Sequence, residues 1–81
     1  MGEGKAKKML GLALLRLVVS ITPDDVKELK AGGCADEAKA LVEVLHRVSV
    51  KWQGMGPVDP KVFVSVQARL NQLRAALGIK R

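Results

Sequence analysis

Two six-residue stretches, Ile21 to Val26 (ITPDDV) and Val58 to Phe63 (VDPKVF), are written in one grammar. Each runs apolar residue, short oxygen-bearing residue, proline, then a helical pattern. Proline suits the first helical position because its missing N–H would be unpaired there anyway. The preceding Thr22 or Asp59 can accept from the free N–H groups of the first turn. Asp24 and Asp25 add negative charge where the helix dipole favours it, and Asp25 closes a shortened capping box. Ile21 on Val26, and Val58 on Phe63, can form hydrophobic staples. Two such starts commit most of an 81-residue chain to helix.

The stops agree. Gly32-Gly33 ends the helix begun at Pro23, the Gln53–Pro57 stretch closes the next, and Gly78 follows Leu77. The pattern predicts an all-α fold in one domain, a small four-helix bundle of three longer helices and one short one. Their spans are about 5–19, 23–31, 35–52 and 60–77. No alternating strand pattern with hairpin turns is present. Two apolar stripes follow heptad spacing: Ala38, Leu41, Leu45, Val48 and Trp52, then Phe63, Val66, Leu70, Leu73 and Leu77. They predict an antiparallel helix pair joined by the glycine-rich loop.

The first helix differs. Leu10, Leu12, Leu14, Leu15 and Val18, with their apolar neighbours, cover almost its whole girth. A helix apolar all round must be covered on more than one side. A chain this short buries only about 60–65% of its unfolded surface. One flank of that helix is therefore expected to meet a second copy or a protein partner, with Leu10, Leu12, Leu14, Leu15 and Val18 as the interface. The basic start and apolar run resemble a signal peptide, but Arg16 interrupts the run and no small-x-small site follows. The run Met9–Leu15 is too short to span a bilayer, so a membrane is not an expected partner. A cytoplasmic or virion setting, without secretion, is the expectation.

Net charge is +6, and it sits at the chain ends. Residues 22–59 hold five bases against seven acids, whereas residues 60–81 hold five bases and no acid. Lys5, Lys7, Lys8, Lys61, Arg69, Arg74, Lys80 and Arg81 form a candidate surface for nucleic-acid backbone, without sequence reading. The two aromatics, Trp52 and Phe63, do not support base stacking. Helices two and three have the outline of a helix-turn-helix. However, the reading helix would open on Ala35-Asp36-Glu37, which phosphates repel.

Catalytic chemistry finds little material. Cys34 and His46 are the one conceivable nucleophile–base pair. With a single cysteine and a single histidine, neither an internal disulfide nor a structural zinc site is available, and no phosphate loop or calcium loop occurs. No catalytic residue, metal or cofactor is expected. Thr22, Pro23 and Asp25, followed by Pro60, Leu70, Leu73, Leu77, Gly78 and Ile79, resemble the layout of phage small terminase subunits. About half the chain is covered. Gly32-Gly33 interrupts what is a longer helix there, and the proline-arginine that follows in that family is absent. The resemblance implies oligomeric DNA recognition for packaging. The alternative reading is a helical adaptor or self-assembling subunit docking through helix one.

Overall fold

The computed structural model describes residues 3–78, and side chains from residue 4 onward. It contains four helices: α1 (Glu3–Ser20), α2 (Pro23–Ala31), α3 (Ala35–Gln53) and α4 (Pro60–Leu77). The all-helical bundle is as the punctuation predicts, and the ends shift by no more than two residues. No helix among the described residues is long and apolar enough to cross a membrane.

Both starts are built as their sequences direct. The Asp25 N–H donates to Thr22 Oγ1 at 3.1 Å and the Thr22 N–H donates to Asp25 Oδ2 at 2.9 Å, a complete capping box. The Lys61 N–H donates to Asp59 Oδ1 at 2.9 Å. The α2 stop is a Schellman arrangement: the Cys34 N–H reaches the Leu29 carbonyl at 2.8 Å and the Gly33 N–H reaches that of Lys30. Gly33 takes φ +86° to make this turn, a conformation that costs glycine little.

α3 and α4 form a hairpin. α1 and α2 each lie against both of them but not against one another, so the two fill successive parts of one groove. α1 covers the part nearer the α3–α4 loop, where Leu14 and Val18 meet Leu45, Trp52, Val66 and Leu70. α2 covers the far part, where Val26 meets Val42 and Leu73. Ile21, at the junction, touches both clusters. α1 and α2 therefore run in the direction of α4 and against α3, and the molecule extends 44 Å along that axis.

The heptad stripe of α4 lies where expected, with Val66, Leu70 and Leu73 buried. That of α3 is corrected. Its buried line is Ala38, Val42, Leu45, Ser49 and Trp52, while Leu41 is 53% exposed. Val48 of the expected stripe still packs against the core, so Leu41 alone leaves it while Val42 and Ser49 turn inward. The Ser49 hydroxyl accepts there from Gln53 Nε2 of the same helix at 3.0 Å and from Gln67 Nε2 at 3.2 Å, the latter tying α3 to α4. Two of the interface expectations for α1 are corrected as well. Leu14 and Val18 are 1% and 0% exposed, because the chain's own groove covers them.

A candidate lysine-rich face at the loop end of the bundle

The shared direction of α1 and α4 decides where charge collects. Lys5, Lys7 and Lys8 open α1, Lys61 opens α4, and Lys51 stands in the last turn of α3. These five side chains meet at the end of the bundle that holds the α3–α4 loop. Lys7 is half-buried there, with its Nζ near Gly56, and the other four are exposed. Asp59 is the one carboxylate at this end among the described side chains, and it is engaged in capping α4.

Beneath the lysines lies a cleft of about 220 Å³, with Lys7, Lys8 and Asp59 on its rim. Its floor is Gly11, Leu12, Trp52, Val58 and Val62. Gly11 explains how the floor closes. A Cβ built there would stand 2.7 Å from Trp52 Nε1 and 2.8 Å from Cε2, so only glycine lets the indole lie on the α1 backbone. Ammonium groups above an apolar floor can take phosphate oxygens while their methylene stems cover carbon surface. Among the described residues, no reacting pair of side chains lines the cleft.

The basic residues assigned from sequence are divided by the fold. Lys5, Lys7, Lys8 and Lys61 come together. Arg69 and Arg74 leave α4 on opposite flanks, both half-buried. Arg69 donates to the Ile21 carbonyl at 3.3 Å, bracing the junction between α1 and α2. Arg74 borders a smaller hollow on the α3 side, with Lys39, Glu43, His46 and Arg47. The single surface joining the first lysines to Arg69 and Arg74 is thus corrected, since the parallel run of α1 and α4 separates them lengthwise. Lys80 and Arg81 lie outside the described residues.

Sequence reading missed Lys51, which belongs to the face only because α3 ends where α1 and α4 begin. It also missed Gly11 as the seat of the indole. A glycine within an otherwise apolar helical run was the available signal. The Cys34–His46 pairing is excluded by distance. Cys34 caps α3 and His46 stands twelve residues along it, about 18 Å by helical rise. Neither a thiol-imidazole pair nor a group of three metal-ligating side chains forms among the described residues. The helix-turn-helix reading fares no better, because Asp36 and Glu37 are exposed in the first turn of α3. No family model, curated protein or solved structure matches the chain.

Proposed function

We propose that this chain is a non-enzymatic helical module that holds nucleic-acid backbone on the lysine-rich loop end of its bundle. The observation that carries the reading is the convergence of Lys5, Lys7, Lys8, Lys51 and Lys61 from three helices with Asp59 committed to a cap. Such a face neutralises phosphates and carries no pattern for reading base edges, so binding is independent of sequence. A packaging assembly of the kind implied by the likeness to small terminase subunits is a setting in which such a module would serve.

Five phosphate contacts predict a salt slope near −4.5, so affinity for a random duplex falls by a factor on the order of 10²–10³ between 50 and 200 mM salt. Fluorescence anisotropy with a labelled duplex reads this directly. Lys51→Gln with Lys61→Gln removes about two units of that slope. Arg69→Gln leaves it unchanged, because Arg69 serves the Ile21 carbonyl. Absence of duplex binding at 50 mM salt ends the proposal.

A second reading, an assembly subunit docking through α1, is favoured by a different observation. The outward side of α1 keeps Met9, Leu12, Leu17 and Val19 in contact with solvent, Met9 at 62% exposure. A chain whose first helix served only its own core would not need these residues. Leu12→Glu, at a site already 46% exposed, leaves the fold intact and abolishes such docking; measured mass in solution decides.

A further inference from the structure

The cleft beneath the lysines has a carbon floor that a phosphodiester backbone does not use. Gly11 and Trp52 are buried there, Val58 and Val62 are half-buried, and Leu12 is 46% exposed. Water therefore meets apolar surface directly below a cationic rim, and a ligand that covers that surface gains by it.

The floor restricts the guest. Trp52 carries its one polar side-chain atom, and that Nε1 is packed against Gly11. A nucleobase inserted here would bury ring nitrogens and amino groups without partners. The indole is 3% exposed and presents no face for a base to stack on. A saturated chain has neither need.

The rim sets the charge of the guest. Lys7 and Lys8 stand against one carboxylate, Asp59, whose Oδ1 already accepts the Lys61 N–H at 2.9 Å. Lys7 is half-buried with its Nζ beside Gly56, so the ammonium is held close to the cleft. We propose that the cleft is a binding site for a small amphiphilic anion. One aliphatic chain lies on Leu12, Val58 and Val62, and its phosphate or carboxylate head meets Lys7 and Lys8. Size limits the chain. An apolar cavity of about 150 Å³ holds benzene, so the cleft of about 220 Å³ takes about eight carbons in proportion. A guest this small in an open cleft binds with Kd on the order of 0.1–1 mM. The site is separate from the backbone reading, because Lys51 and Lys61 do not line it and no duplex is needed to fill it.

Proton–nitrogen correlation NMR on the whole chain tests this, with octyl phosphate added below its micelle-forming concentration. Shifts should saturate and centre on Gly11, Leu12, the Trp52 indole N–H, Val58 and Val62. Butyl phosphate should bind at least about tenfold more weakly, since each methylene left out of the cleft forfeits up to about fourfold. Octanol, which lacks the charge, should bind about fivefold more weakly, and Lys7→Gln with Lys8→Gln should weaken octyl phosphate by about as much. Asp59→Asn keeps a good N-cap residue and should tighten it about twofold. Lys51→Gln with Lys61→Gln should change it by less than about twofold, although the same pair lowers the salt slope for duplex. The spectra themselves show that each variant is folded. Failure to bind duplex thus leaves this site standing, and the reverse holds too. Inorganic phosphate shifting the floor amides as much as octyl phosphate does would overturn the site. So would shifts on Met9, Leu17 and Val19 in place of the floor, or a response that begins only once micelles form.

Discussion

The two helices that fill the hairpin groove are held by different means. α1 is seated by bulk: Leu14 and Val18 enter a cluster that includes Trp52, and the indole lies against a bare backbone at Gly11. α2 has only nine residues and one fully buried side chain, Val26, meeting Val42 and Leu73. What secures it is local chemistry at its ends, the Thr22–Asp25 box before it and the Schellman turn after it. Burial area sets the position of a long helix, whereas a short one depends on groups that satisfy its free N–H and C=O ends.

The hardest blow to this contrast is Trp52→Ala. Truncating a large core aromatic costs about 3–5 kcal/mol. A domain of this size is stabilised by roughly 4–12 kcal/mol, so much of that margin goes. Urea unfolding followed by circular dichroism should show the midpoint fall sharply; a loss under 1 kcal/mol would mean that α1 is not seated by the indole. Val26→Ala should cost less, about 1.6 kcal/mol for two buried carbons, and by the same measurement.

Gly11→Ala separates packing from propensity. Alanine gains up to about 1 kcal/mol as a helix former, while pressing a Cβ into the indole costs about 1–3 kcal/mol. A net loss near 1 kcal/mol is expected, with a shift in the emission of Trp52, the sole tryptophan. A stabilised variant with unchanged emission would show that the ring is free to move away. The smallest effect is that of Thr22→Ala, about 1 kcal/mol. It should be concentrated in α2: native-state hydrogen exchange should find the α2 amides opening at lower free energy than those of α1, and the variant should widen the gap. Uniform exchange across both helices would erase the distinction drawn here.

Legibility followed the same division. Thr22, Asp25, Asp59 and the glycine stops could be read in advance because each acts within a few residues of itself. The α4 stripe was legible since no second apolar line competes with it. On α3, Leu41 competes with Val42, and a serine beside Val48 argues against its own burial unless Gln53 and Gln67 are known to reach it. The bracing contact of Arg69 was not legible for a related reason: its partner is a backbone carbonyl 48 residues away.

The amino-acid order by itself determined that this chain is helical, where each helix begins and ends, and that α1 carries more apolar surface than one face can use. Those properties rest on proline, glycine, cap hydrogen bonds and side-chain periodicity, all of which operate over a turn or two. Tertiary packing alone decided which line of α3 turns inward, that α1 and α2 share one groove, and that Lys51 joins Lys5, Lys7, Lys8 and Lys61 while Arg69 and Arg74 go elsewhere. Those outcomes depend on the direction and rotation of whole helices against one another, and that is fixed by how side chains distant in sequence fill a common space.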